Sequence, residues 1–207
     1  MSGQASTARA AFAGILALLA GCGGMGTGGS AAPRGPGGVT ALVPPGYGTL
    51  TQAEFTLELE IENLQIQVTP LAESVIRLAA PDTYQRLTSI SASASSSLGS
   101  RAPEGSPLFL VSMFSRAPTT LYEPENLHIV NGGFRYRPMA IQAITPGWSG
   151  HRLRQQETEL AVYVFDPDIE LEIALTVEYE GVRDTSWQTI LNRLEAERAR
   201  VRARAGA

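Results

Sequence analysis

The chain has 207 residues, one cysteine, two histidines and a formal net charge of −4 at pH 7. At the usual ~100–200 residues per domain, this length accommodates one folded domain with tails, and an apolar content of 43% is enough to build a hydrophobic core. A single thiol excludes a disulfide within the chain and a zinc site made of several cysteines. The acidic balance gives no electrostatic argument for a nucleic-acid partner.

The N-terminal residues combine one basic side chain with an uncharged apolar stretch. Arg9 precedes residues 10–20, which are fewer than the ~20 apolar residues that span a bilayer as a helix. This order is typical of a secretory signal peptide. The stretch ends in Leu19-Ala20-Gly21-Cys22, which resembles the lipobox of bacterial lipoproteins: an aliphatic residue, two small residues and the obligatory cysteine. The resemblance implies removal of the signal peptide, residues 1–21, and acylation of Cys22.

A lipoprotein identity would also imply a location for the chain. Two or three acyl chains bury many methylenes at ~0.8 kcal/mol each, so Cys22 would hold the protein stably on a membrane of the bacterial cell envelope. Gly23 stands where an aspartate would favour the inner membrane, so the resemblance favours the outer membrane. The alternative is an ordinary signal peptide with an incidental cysteine.

Glycine and proline dominate residues 22–49, a composition that predicts a flexible tether. Alternation of apolar and polar residues then begins at Phe55, and its parity switches near Glu62-Asn63. We expect a bulge there, or a bend at which the strand changes sheet. Helical spacing predicts short helices within residues 71–90, and the serine-rich residues 89–107 predict a loop.

Short apolar runs separated by turn residues follow. They lie at residues 108–114, 127–130, 134–136, 139–144, 160–165 and 169–179. Such spacing predicts a mainly β domain over residues 50–183, an antiparallel β-sandwich of seven or eight strands. It resembles an immunoglobulin-like sandwich in architecture only, since no sequence motif supports that family.

Residues 184–205 predict an amphipathic C-terminal helix. Thr185 and Gln188 have the spacing of a capping box. The apolar stripe of this helix consists of Trp187, Ile190, Leu191, Leu194 and Val201, and Glu195 with Arg198 and Glu197 with Arg200 are spaced to form ion pairs. The Arg-rich end (Arg198, Arg200, Arg202 and Arg204) is either solvated or a basic surface for acidic lipid head groups or a protein partner.

No motif in the chain points to catalysis. The sequence has no Gly-x-Ser-x-Gly elbow, and His128 lies inside an apolar run, where its alternation predicts an exposed or rim position. Asp166-Pro167-Asp168 is typical of a hairpin turn and lacks the further oxygen ligands of a calcium loop. We therefore predict no catalytic residue, no metal and no cofactor, and an envelope hydrolase has no motif in its support.

Two functional hypotheses remain. The first is a membrane-anchored interaction or assembly module that binds another envelope protein and no nucleic acid. The second is a small-ligand-binding lipoprotein whose loops around Trp148 and His151 form a pocket, since loops on a rigid sandwich often carry binding residues. Trp148 either anchors a partner or folds back over the end of the sandwich.

Overall fold

The computed structural model describes residues 42–206. Its strands are β1 (Leu57–Ile61), β2 (Leu64–Pro70), β3 (Leu108–Ser115), β4 (Thr119–Leu121), β5 (Leu127–Asn131), β6 (Phe134–Tyr136), β7 (Ala140–Ala143), β8 (Arg152–Arg154), β9 (Thr158–Val164), β10 (Leu175–Tyr179) and β11 (Val182–Asp184). Its α-helices are α1 (Glu73–Ile76), α2 (Pro81–Leu98) and α3 (Trp187–Ala205). The predicted signal peptide, Cys22 and most of the predicted tether lie outside the described residues.

The strands form three antiparallel sheets. A five-stranded sheet has the order β1-β2-β3-β9-β7, a four-stranded sheet has the order β11-β10-β5-β6, and β4 pairs with β8. Alternate side chains of both larger sheets enter one hydrophobic cluster, which includes Leu59, Val111, Ile129 and Val177. The prediction of a mainly β, antiparallel sandwich with a C-terminal helix is confirmed.

The parity switch at Glu62-Asn63 is a hairpin, so the predicted bulge or change of sheet is wrong. Ile61 pairs with Leu64 across a two-residue turn, and Glu62 adopts a left-handed φ of 48°. The turn reverses the chain, so the apolar residues of β1 and β2 oppose one another on the same buried face.

The serine-rich segment is helical as far as Leu98, so the predicted loop over residues 89–107 is wrong in its first half. Leu87, Ala94 and Leu98 are buried at intervals that fit one face of α2. The serines point outward, and the hydroxyls of Ser89 and Ser97 each donate to the backbone carbonyl four residues earlier. Serine composition therefore hid a continuous apolar stripe, and α2 is longer than the short helix expected there.

The predicted strand over residues 169–179 begins only with β10. The buried side chain of Asn131 donates from Nδ2 to the carbonyls of Glu170 and Ala174, at 2.9 and 3.1 Å, and accepts from the Glu170 N–H at 2.9 Å. These bonds hold the backbone in a turn. Ile173, which lies in this turn, is exposed.

Helix α3 begins at Trp187, three residues after the predicted start at residue 184, and without the expected capping box. Ser186 occupies the N-cap position with no side-chain cap, and its N–H donates to Oδ1 of Asp184 at 2.7 Å. The predicted apolar stripe is confirmed, because its residues pack into the core. The indole of Trp187 is fully buried and donates to the carbonyl of Leu171 at 2.9 Å.

Candidate functional site

Most arginines at the Arg-rich end of α3 form hydrogen bonds or ion pairs with other residues of the domain. Glu197 is fully buried and accepts from Arg204 Nη1 at 2.9 Å and from Arg200 Nη1 at 3.3 Å. It also accepts from the N–H and Oγ1 of Thr49, at 3.1 and 2.9 Å. Arg204 donates in addition to the Tyr47 carbonyl. These contacts attach the end of α3 to residues 47–49.

Arg198 is also unsuited to an interaction surface. It is 8% exposed, donates to the Ser74 carbonyl at 3.1 Å and pairs with Glu195. The two predicted helix ion pairs are thus confirmed. Burial removes Arg198 from the predicted basic surface, and Arg204 is exposed but bonded to Glu197 and Tyr47. Arg200 and Arg202 remain exposed.

Trp148 is buried and cannot anchor a partner. It lies in a 3-10 turn, Pro146–Gly150, with 4% of its surface exposed. Its ring packs edge-to-face on Tyr122 and Tyr163, at centroid distances of 5.4 and 6.0 Å. The alternative in which Trp148 folds back over the sandwich is therefore the correct one. His151 follows the turn, half-buried, with its ring 5.9 Å from that of Tyr122.

A groove of about 500 Å³ opens beside this aromatic cluster. The turn contributes Gly147 and Gly150, and Leu121 stands at the rim with its side chain exposed. Charged side chains supply the rest of the lining: Arg152, Arg154, Glu157 and Glu159. A pocket near Trp148 and His151 was predicted, but the residues that line it are their neighbours.

Glu159 is the buried charge of this groove. It lies in β9 and is only 2% exposed, and its Oε2 accepts a hydrogen bond from the Tyr122 hydroxyl at 2.6 Å. Burial and this hydrogen bond raise the pKa of Tyr122 far above its ordinary value, so the phenol keeps its proton and acts as a donor. The pair joins β9 to the segment after β4.

Gly147 leaves room for the second carboxylate oxygen. A Cβ at this position would lie 2.2 Å from Oε1 of Glu159, far inside van der Waals contact. Oε1 makes no hydrogen bond or ion pair with any residue of the described region. Glu159 lines the groove, and Oε1 is the oxygen that the Tyr122 hydroxyl does not occupy.

Two arginines supply positive charge to the same groove. Arg152 and Arg154 flank the buried Leu153 in β8, and alternation along a strand places both on one face. Within residues 42–206 neither guanidinium forms an ion pair. Glu157 accepts from the backbone N–H of Arg154 at 2.7 Å. The groove therefore carries both signs of charge without joining them.

Sequence reasoning did not identify Tyr122, Arg152, Arg154 or Glu159 as site residues. One signal was available: Glu159 stands next to the apolar run of β9, where a charged side chain is rarely buried without a partner. The alternation Arg152-Leu153-Arg154 is compatible with any half-buried strand, and it becomes informative only when both arginines are seen in the groove.

His128 differs from its predicted exposed or rim position. It is buried, its Nδ1 contacts the Asn126 carbonyl at 2.7 Å, and its Nε2 has no hydrogen-bond partner among the described residues. Burial lowers the pKa of His128, so the neutral ring is favoured. Arg135 and Arg183 both pair with Glu178, the cross-strand neighbour of His128.

A second exposed feature lies at the β5–β6 turn, which we call the hairpin patch and define as Phe134, Tyr136 and Ile173. Phe134 is 69% exposed and its ring centroid is 6.5 Å from that of Tyr136. Ile173 lies over Gly132 of the same turn. Strand β6 is an edge of its sheet, so this patch is accessible from the side of the sandwich.

Two further observations concern membranes and metals. From residue 42 to residue 206, no helix has both the length and the apolar character needed to span a membrane. The same part of the chain brings no three His, Cys, Asp or Glu side chains together as a possible metal site. Comparison of the chain with protein-family models, with curated proteins and with solved structures found no match.

Proposed function

We propose that this chain is a lipid-anchored lipoprotein of the bacterial cell envelope, with its β domain acting as a non-enzymatic interaction or assembly module. The observation that carries the proposal is the lipobox-like Leu19-Ala20-Gly21-Cys22 at the end of an uncharged apolar stretch. The glycine- and proline-rich residues that follow suit a tether between a membrane and a folded domain. Gly23 favours the outer membrane.

The anchor is tested by replacing Cys22 with Ser. If Cys22 is acylated, the wild-type chain should sediment with membranes and the Cys22→Ser variant should not. Met25→Ser, three residues further along, is the matched control and should sediment like the wild type. Mass spectrometry of the wild-type N-terminal peptide measures the acyl mass directly. An unmodified Cys22 thiol, or a Cys22→Ser variant that stays with the membrane, would overturn the proposal.

The hairpin patch supports the interaction role. Large aromatic side chains are enriched at binding interfaces, yet Phe134 leaves most of its surface in water. The partner chemistry that fits is an apolar surface on another envelope protein, because the patch is aromatic and aliphatic. Its position on the edge strand β6 leaves it open to such a contact.

The interaction is tested with a photo-crosslinking residue at position 134 in cells. Contact with one partner predicts a single defined adduct from position 134. Position 182 is the matched control, because Val182 is exposed on β11, the opposite edge of the same sheet. Phe134→Ser should also weaken capture of the crosslinked protein at least about tenfold, the equivalent of ~1.4 kcal/mol. Equal adducts from both positions, or none from position 134, would rule out this surface.

Small-ligand binding is a second candidate function, and one observation favours it. Glu159 places a buried carboxylate in a groove, and in the described part of the chain this carboxylate forms no ion pair. Desolvating a carboxylate is costly unless charged or hydrogen-bonding partners compensate. Here Tyr122 alone does so, which leaves the site suited to a ligand that brings the missing charge.

A further inference from the structure

The groove separates its charges in a way that limits what can bind there. Glu159 lies buried in the lining and offers Oε1, whereas Arg152 and Arg154 stand exposed on β8. All three line one concavity of about 500 Å³, but no ion pair links the carboxylate to either guanidinium. A small molecule that carries both signs of charge could contact both sides at once.

We propose that this groove binds a small zwitterion, with its ammonium group on Glu159 and its oxyanion on Arg152 and Arg154. The inference rests on the second candidate function and names its ligand class. An ammonium donates strong charge-assisted hydrogen bonds to a carboxylate, and it supplies the cation that Glu159 lacks. A phosphate or carboxylate matches the planar donor set of arginine.

The neighbours of Glu159 hold its carboxylate in the required position. The Tyr122 hydroxyl occupies Oε2 and leaves Oε1 for the ligand. Gly147 offers no side chain where a Cβ would collide with Oε1. Buried aromatic rings back Tyr122, so the donor is held by packing as well as by the hydrogen bond. The carboxylate is thus oriented before a ligand arrives, which lowers the entropy cost of binding.

Isothermal titration calorimetry on the full chain tests the proposal with three probes. Phosphoethanolamine carries both charges, ethanolamine carries only the ammonium, and inorganic phosphate carries only the oxyanion. We expect phosphoethanolamine to bind at least tenfold more tightly than either partial probe. Phosphatidylethanolamine vesicles form a second arm: binding to them in preference to phosphatidylcholine vesicles would identify a lipid head group as the source of the same chemistry.

Variants assign the two ends of the ligand. Glu159→Gln keeps the shape and an acceptor for Tyr122, and it should weaken phosphoethanolamine binding at least tenfold while leaving phosphate binding unchanged. Glu104→Gln is the matched control, because it removes one exposed carboxylate outside the groove, and it should change binding less than twofold. Arg152→Gln and Arg154→Gln should weaken both phosphoethanolamine and phosphate. Gly147→Ala moves Oε1 without removing a charge and should reproduce the effect of Glu159→Gln.

The results that would contradict the proposal distinguish the zwitterion from the groove's being a ligand site at all. One result would overturn the zwitterion but keep the groove as a ligand site. In that result, phosphate binding needs the arginines, but phosphoethanolamine binds the wild type and Glu159→Gln equally well. No binding of any probe by the wild-type chain would overturn both. Thermal melts of each variant show whether it is folded, and Gly147→Ala with an intact Glu159 keeps the question decidable if Glu159→Gln unfolds.

Discussion

Replacing Glu197 with Gln should destabilise the domain by about 2 kcal/mol at neutral pH. Glu197 is fully buried and accepts bonds from Thr49, Arg200 and Arg204. The arginine side chains are 64% and 38% exposed, so their pairs resemble surface ion pairs and contribute only ~0–1 kcal/mol each. The two bonds from Thr49 lose their charge assistance, which accounts for about another 1 kcal/mol. At ~2–4 °C per kcal/mol, the melting temperature should fall by about 4–8 °C.

The pH dependence gives this prediction a second, independent readout. Burial by itself raises the pKa of Glu197, but hydrogen bonds from Arg204, Thr49 and Arg200 outweigh burial and lower the pKa below its ordinary 4.5. A lowered folded-state pKa means that the stabilisation is complete above that value and is lost as pH falls through the folded pKa. The difference in unfolding free energy between wild type and Glu197→Gln should therefore shrink below about pH 4.5.

Urea denaturation at pH 7 and at several lower pH values measures both quantities. Glu195→Gln is the matched control, because it removes the same charge from the same helix at a side chain that is 65% exposed, and it should cost less than ~0.5 kcal/mol. Equal losses for the two variants at pH 7, or a Glu197→Gln effect that does not change with pH, would refute the assigned role of the buried carboxylate.

Three further predictions concern stability. Gly48→Ala should lower the free energy of unfolding by at least ~2 kcal/mol or prevent folding, because its Cβ would lie 2.2 Å from the backbone oxygen of Leu78. At Gly150 a Cβ would meet no atom, so the free energy of unfolding of Gly150→Ala should lie within ~0.5 kcal/mol of the wild-type value. Asn131→Ala should cost ~2–3 kcal/mol and speed hydrogen exchange in the turn ahead of β10, and unchanged exchange there would contradict its role. Burial lowers the pKa of His128, so stability should decline as pH falls below about 6.5, and His128→Gln should flatten that decline in denaturation curves.

Periodicity predicts those elements whose faces differ in polarity. The alternation that begins near Phe55 identifies β1 and β2 because each buries one face and exposes the other. It could not identify the turn between them, since Glu62-Asn63 lacks the glycine that usually accepts a positive φ. The same limit applies to α2: serine suggested a loop, while the apolar spacing of Leu87, Ala94 and Leu98 was weak because alanine contributes little hydrophobic signal.

The roles of charged residues were harder to predict than the elements that carry them. Helical spacing correctly paired Glu197 with Arg200, but Thr49 approaches Glu197 only through the tertiary fold, 148 residues away in the chain. The groove poses the same difficulty, because Glu159 meets Tyr122 across 37 residues. Local pattern indicates that a charge is present, whereas its burial and partners depend on contacts between distant segments.

The attachment of residues 47–50 has a mechanical consequence. Leu50 forms a parallel bridge with Ala79, its N–H donating to the Leu78 carbonyl at 3.1 Å and its carbonyl accepting from the Ala80 N–H at 2.9 Å. Glu197 holds the residue just before it. If the chain is tethered through Cys22 as proposed, tension from the membrane would reach residues 43–50 first. There it would meet the buried Val43, whose carbonyl accepts from Arg77 at 3.3 Å, and then the bonds of residues 47–50. Bonds that are loaded together resist a pulling force better than bonds that open one at a time. The β domain would then stay folded while its anchor is under tension.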